Sequence, residues 1–271
     1  MEENEEIKKV VSISKNELAQ LPAEEYHNGL VLVDHENDID YAAEMLRKAD
    51  IIGFDTETKP SFKRGQHHQV SLLQLSTRTE CYLIRLNKVG MPDSIKNILE
   101  DENKLKIGLS IHDDFLNLRK LCKIEPKGFI ELQEFVKEFN IADNSLSRIY
   151  AILFNKRISK GQRLTNWEAD ELTSFQKEYA ALDALACINI YDYLFNGNFK
   201  DSDSPYFRVP VDPNQNNNTI QKEESVIKDD KSQTTPATKK RRPRRRSRTI
   251  NKRTPKTATQ RRDRNSNGIY N

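Results

Sequence analysis

A chain of 271 residues with 36% hydrophobic and 31% charged side chains, at a mean hydropathy of −0.80, is too polar to be globular from end to end. No apolar run approaches the ~18–20 residues that a bilayer-spanning helix needs, so an integral membrane protein is excluded. The net charge of +3 hides an asymmetry: residues 231–271 carry fifteen Lys/Arg against one acid, net +14, and residues 1–230 hold 29 basic and 40 acidic groups, net −11. An acidic body with a basic arm points to nucleic acid or another polyanion as partner. The acidic opening MEENEEIKKVVS has no apolar stretch of the kind a secretory signal requires. Cys81, Cys122 and Cys187 are odd in number and widely spaced. They suggest neither a disulfide framework nor a zinc site, and a reducing compartment.

In chain order, residues 1–25 read as a peripheral extension. GLVLVD (29–34) is a short apolar strand, and DIDYAAEMLRKA (38–49) has helical spacing at Ile39, Ala42, Ala43 and Leu46. IIGFDTET (51–58) is β-rich. QVSLLQLS (69–76) and ECYLIRL (80–86), separated by Thr77, Arg78 and Thr79, predict a hairpin. A helix over 92–101, a strand over 104–111, a helix over 113–122 and a β-like stretch at 129–131 follow. Further helices end in 171–195. Strands interleaved with helices predict one α/β domain over 26–200, a mixed β-sheet flanked by helices. From 201 to 271 the chain has no apolar period, and a strongly basic, disordered tail is expected.

Three acidic segments stand out. Asp55 and Glu57 are two apart on a predicted strand, so both leave one face of the sheet. They are either simply solvated or two like charges at the edge of a core. Asp113 and Asp114 follow an apolar strand and open a helix, where acids cap free N–H groups. Strand ends in layered α/β sheets are also where ligands bind. Tyr179 and Asp183 are four apart in a long helix and stack on one face, which suits a core-edge pair as well as a site. Should the segments converge, Asp55, Glu57, Asp114 and Asp183 would carry about −4. Two divalent ions would balance that, and all-oxygen donors favour Mg²⁺ or Mn²⁺. Such a pair of ions suits phosphodiester hydrolysis, with Tyr179 orienting the attacking water.

GFDTETKP, KIGLSIHDDFLNL and EYAALDALACINIY resemble the three motifs of DEDD-superfamily 3′→5′ exonucleases, in the tyrosine-containing DEDDy branch. SFKRGQHHQVSLLQLS and LTNWEADELTSFQKEYAALDA are similar to the Werner-syndrome-helicase-like exonuclease group. RNase D and polymerase proofreading domains are more distant relatives. The resemblance covers about residues 26–198. It implies an RNase H-like fold, a two-metal mechanism and release of nucleoside monophosphates from DNA or RNA 3′ ends, DNA slightly ahead. It further implies that Asp55 bridges both ions, that Glu57 and Asp183 hold the ion carrying the nucleophilic water, and that Asp114 serves the second. Asp114 fits the register because Leu118 follows four residues later, where Asp113 would pair with Asn117.

Thr56 within the first motif is expected to bind nucleic acid, and Lys63 and Arg64 after it to meet phosphate. His67 and His68 beside them read as solvated. Trp167, the only tryptophan, reads as a packing anchor. Lys240, Arg241, Arg242, Arg244, Arg245 and Arg246 of the arm would bind nucleic acid by charge alone. No Walker A or GxGxxG motif is present, so no nucleotide cofactor is expected. Which protein partners it has is left open. The expected location is the bacterial cytoplasm, or the nucleus in a eukaryote. A catalytically silent nucleic-acid-binding module acting through the basic tail is the alternative reading.

Overall fold

The computed structural model describes residues 9–63 and 65–209. Arg64, Lys240, Arg241, Arg242, Arg244, Arg245 and Arg246, with the rest of the expected arm from residue 210, lie outside the described residues.

The elements in order are β1 (Val10–Val11), α1 (Lys15–Gln20), β2 (Gly29–Val33), α2 (Ile39–Lys48), β3 (Ile51–Thr58), β4 (Val70–Ser76) and β5 (Glu80–Ile84). Next come α3 (Leu86–Val89), α4 (Asp93–Glu100), β6 (Leu105–Gly108), α5 (Ile111–Leu121), β7 (Phe129–Glu131) and α6 (Leu132–Phe135). The chain continues through α7 (Leu146–Phe154) and α8 (Ser174–Phe195) to β8 (Phe207–Arg208). Six strands form one mixed sheet in the order β2-β5-β4-β3-β6-β7. Only β4 runs against its neighbours; the β2–β5, β3–β6 and β6–β7 pairs are parallel. The predicted hairpin is β4–β5, closed where the Thr77 N–H donates to the Glu80 carbonyl at 2.8 Å.

Alternation along β3 sets the two faces. Ile52 and Phe54 join the core built with α2, α4 and α5, around Leu46, Leu99 and Leu118. Ile51 faces the opposite core, formed with α7 and α8. Helix α8 lies almost against β3: a Cβ on Gly53 would come 2.0 Å from the Ala184 carbonyl oxygen. Glycine at 53 and the alanine-rich run of α8 therefore fix how closely helix and strand approach. That distance determines where the side chains of α8 stand relative to the odd positions of β3.

The expected domain edges at 26 and 200 need correction. Val11 and Ile13 are fully buried, Tyr206 is buried beside them, and β1 pairs antiparallel with β8. The Ile13 N–H donates to the buried Asp143 carboxylate at 2.9 Å. Two-residue strands carry too little sequence period to be read locally, and their burial comes from pairing across nearly the whole domain. No described helix is long and apolar enough to cross a membrane.

Candidate active site

The site forms at the C-terminal end of β3, where the strand leaves the sheet. Odd-numbered side chains there point toward α8, which places Asp55 and Glu57 on one face. A capping box starts α8: the Gln176 N–H donates to Thr173 Oγ1 at 3.2 Å, and the Thr173 N–H returns to Gln176 Oε1 at 3.1 Å. That start sets the helix phase, so that Tyr179 and Asp183 face the strand one turn apart. The carboxylate oxygens of Asp55, Glu57 and Asp183 lie within 4.8 Å of one another.

Asp114 arrives from the other side of β3, on the first turn of α5. Ser110 is held in the left-handed region at φ 62°, turning the chain sharply out of β6. Glu131 at the end of β7 secures this turn by accepting the N–H groups of Ser110 at 2.9 Å and Ile111 at 2.8 Å. The carboxylate of Asp114 then accepts a hydrogen bond from the Thr56 hydroxyl. Asp113 points to solvent beside His112, its side chain 85% exposed. Thus three of the four expected carboxylates share one cluster. The fourth stands next to it, engaged by the threonine between Asp55 and Glu57. Thr56 was expected to bind nucleic acid; its hydroxyl donates to Asp114, and its N–H donates to Asp55 Oδ1 at 2.9 Å.

Burial dominates the electrostatics, with the crowding of like charges second. Burial, then the charges of Asp183, Asp114 and Glu57, hold the Asp55 carboxyl well above its usual range. Burial pushes Glu57 up to about 9, with Asp183 and Asp114 adding and Arg163 opposing. Burial raises Asp183 to about 7 against the pull of the Tyr179 phenol and Lys160. Asp114 rises to about 6, chiefly by burial, although the Thr56 hydrogen bond lowers it. The Tyr179 hydroxyl is itself pushed up by burial and the surrounding carboxylates. Like charges crowded in a buried site favour protonation or a bound cation, and an all-carboxylate donor set suits a hard divalent ion.

Residues 30–197 match the family profile described as 3'-5' exonuclease. The chain belongs to the 3'-5' exonuclease family. Within that family it is 30% identical over 186 residues to the bifunctional 3'-5' exonuclease/ATP-dependent helicase WRN of Mus musculus, covering 65% of this chain and 13% of that protein. It is 28% identical over 149 residues to a 3'-5' exonuclease of Arabidopsis thaliana, covering 53% of this chain and 52% of the relative. The chain thus spans about half or less of these curated relatives. Among solved structures, the exonuclease domain of Aedes aegypti Nibbler superposes with a TM-score of 0.58 at 21% identity, over 73% of this chain and 99% of that one. Escherichia coli RNase D superposes with a TM-score of 0.56 at 22% identity, over 62% of this chain and 44% of that one. The fold is RNase H-like, and the family is that of the DEDDy-type exonucleases.

Around this acidic cluster the structure adds residues that no local sequence signal identified. A cavity of about 250 Å³ is lined by Asp55, Tyr179 and Asp183 together with Ser145, Lys160 and Arg163. Lys160 and Arg163 belong to the loop before Trp167. Their only signal was two basic residues three apart in an aperiodic segment. Trp167 is fully buried, packed under Leu72, Leu83 and α8, with its ring tilted against Tyr179 at 6.2 Å between centroids. It anchors the loop, as expected. His68 was expected to be solvated and is not: its side chain is 12% exposed and its Nδ1 lies 2.7 Å from Glu168 Oε1. Glu168 also accepts from Lys59 Nζ at 3.0 Å, so the loop after β3 is tied to the loop before α8. Burial against a distant carboxylate overrode the polar character of the local sequence. Lys63 is exposed in the same loop and lines a groove beside Phe62 and Leu164, away from the acidic cluster.

Proposed function

We propose that this protein is a metal-dependent 3′→5′ exonuclease that releases nucleoside monophosphates from nucleic-acid 3′ ends, DNA ahead of RNA. The reading is carried by one observation: Asp55, Glu57 and Asp183 bring their oxygens within 4.8 Å of one another at a largely buried strand end. An isolated domain gains no stability from such an arrangement, because each buried charge costs free energy unless it is compensated. Asp55, Glu57, Asp183 and Asp114 would hold two divalent ions, Mg²⁺ or Mn²⁺. When bound, such ions activate water and stabilise the leaving oxygen of a phosphodiester.

The remaining work falls to the chain. Burial, then the neighbouring carboxylates, push the Tyr179 phenol up, which suits a hydrogen-bond donor that orients the attacking water. Thr56 holds Asp114 at the rim of the cluster, and Glu131 holds the turn that delivers it. The basic residues from Lys240 to Arg246 supply sequence-independent attraction for a polyanion that the acidic body would repel. Such a protein works where nucleic acid is, in the bacterial cytoplasm or the eukaryotic nucleus.

End-labelled oligonucleotides test the reading. Hydrolysis requires Mg²⁺ or Mn²⁺, stops with EDTA, proceeds on a 5′-blocked strand and fails on a 3′-blocked one. Matched DNA, RNA and recessed-duplex substrates rank the polymers. Internal cutting, digestion from the 5′ end, or activity unchanged by EDTA would refute it.

A further inference from the structure

Helix α8 packs on β4 as well as on β3, and β4 is buried at every position from Val70 to Ser76. A strand covered on both faces is expected to be apolar throughout, and Gln74 departs from that. It is fully buried, and neither its Oε1 nor its Nε2 has a hydrogen-bond partner. Buried amides without partners are rare in folded proteins, because each forfeits the hydrogen bonds it made with water. Among the described residues, the other buried side-chain atoms left without a partner are Ser145 Oγ and Trp167 Nε1. Ser145 lines the cavity of the acidic cluster, and the Trp167 ring is tilted against Tyr179. Unmet hydrogen-bonding capacity is thus concentrated around this site.

Strand register sets what lies across from Gln74. In the antiparallel β3–β4 pair its partner is Asp55, and Leu83 of β5 flanks it on the other side. Side chains paired in this way leave the same face, with Cβ atoms about 4.5–5.5 Å apart, within reach of a glutamine. That face is the one α8 covers, where Leu72 and Leu83 pack with Ala180, Ala181 and Ala184. Leucine and alanine side chains offer an amide nothing, and Asp55 is the polar group in register with it. Asp55 Oδ1 accepts the Thr56 N–H at 2.9 Å, and no described residue donates to the other oxygen. A donor without an acceptor and an acceptor without a donor therefore share one face at paired positions.

We infer that Gln74 is a positioning residue of the metal site, donating from Nε2 to Asp55 and holding that carboxylate in the orientation that binds cations. The inference rests on the reading of Asp55, Glu57 and Asp183 as ligands of divalent ions. A carboxylate oxygen has two lone pairs, so Asp55 can accept from the amide and still face a cation. Hydrogen bonds to charged acceptors are roughly twice as strong as those between neutral groups, so the amide engages Asp55 most strongly in the cation-bound site. Without a cation the amide is idle, and its burial only lowers stability. Gln74 therefore acts in opposite directions on the metal-free and the metal-bound protein.

The test pairs two measurements on the full-length protein: Mn²⁺ binding by calorimetry and thermal unfolding in EDTA. The variants are Gln74→Met, which keeps the volume and removes the amide, and Gln74→Asn, which keeps an amide on a shorter stem. Without metal, Gln74→Met should melt about 2–4 °C above the wild type, because an orphaned buried amide is gone. It should nonetheless bind Mn²⁺ about tenfold more weakly, the size of one hydrogen bond to a charged group. Gln74→Asn leaves a gap in a packed layer, so it should melt below the wild type yet bind Mn²⁺ more tightly than Gln74→Met. A glutamine with a merely structural role would lose affinity and stability together. With glutamine amides isotopically labelled, the side-chain signal missing from Gln74→Met should shift in the wild type when Mg²⁺ is added. Wild-type Mn²⁺ affinity in Gln74→Met overturns the inference. So does an order of affinity that follows the order of stability, or a Gln74 signal that Mg²⁺ leaves in place. A wild type that binds no Mn²⁺ refutes the metal reading and the inference with it, whereas one that binds, with unaffected variants, counts against Gln74 alone.

Discussion

Replacing Asp183 with asparagine should stabilise the metal-free protein, although it removes a residue proposed to hold a metal ion. Asp183 is 6% exposed, and its carboxyl is raised from 3.8 to about 7. Between those values the folded state binds more protons than the unfolded one, so stability falls as pH rises through the window and is flat above it. At about 1.4 kcal/mol per tenfold change in proton affinity, the shift costs the folded apoprotein up to about 4 kcal/mol at pH 8. Asparagine keeps the shape and the acceptor that faces Tyr179 but never ionises. It also buries an amide N–H₂ whose hydrogen bonds are incomplete, which returns about 1–3 kcal/mol of the gain. A net gain of about 2 kcal/mol remains, or about 4–8 °C in Tm for a domain of this size. Thermal unfolding of wild type and Asp183→Asn in EDTA, at pH 8 and again near pH 4, measures it. The gain should be present at pH 8 and absent near pH 4, where the wild-type carboxyl is protonated too. Adding Mn²⁺ at pH 8 should raise the wild-type Tm and narrow the gap. A variant that melts below the wild type at pH 8 without metal, or an offset equal at both pH values, would refute the reasoning.

Four further outcomes follow from the same geometry. Asp114→Asn should be nearly inactive on labelled DNA and Asp113→Asn close to wild type, since Asp113 points to solvent; the reverse order would move the metal ligand by one residue. Tyr179→Phe should lower kcat on the order of 10²-fold, the contribution of a positioned proton donor, and an unchanged rate removes Tyr179 from the mechanism. Gly53→Ala would set a methyl 2.0 Å from the Ala184 carbonyl oxygen; it should cost about 1–3 kcal/mol or more in denaturant unfolding and on the order of 10² in rate, as α8 carries two site residues away from β3. Truncation after Val209, which spares the buried Tyr206, should weaken DNA binding and flatten its salt dependence while kcat holds; an identical salt slope would give the arm another purpose.

Much of the site could be read from local rules. The period of two along β3 put Asp55 and Glu57 on one face, and the period of four along α8 stacked Tyr179 on Asp183. Both regularities are imposed by backbone hydrogen bonding within a single element, so neighbours in sequence suffice to show them. The β4–β5 hairpin was equally visible, because three polar residues between two apolar runs leave the chain little else to do. Convergence was a different matter. Asp55 and Asp183 meet because Gly53 admits Ala184, a contact between residues 131 positions apart that no period encodes. Asp114 reaches the rim of the cluster through a left-handed serine held by Glu131, and it is engaged by Thr56 instead of joining the other three. The β1–β8 pair, the His68–Glu168–Lys59 tie and the placement of Lys160 and Arg163 in the cavity of the acidic cluster are likewise products of tertiary packing. Each depends on burial or field created by distant segments, and a side chain's local sequence carries no record of either. Sequence alone therefore determined which residues could do the chemistry, and the packing of α8 and its preceding loop on the sheet decided how they face one another.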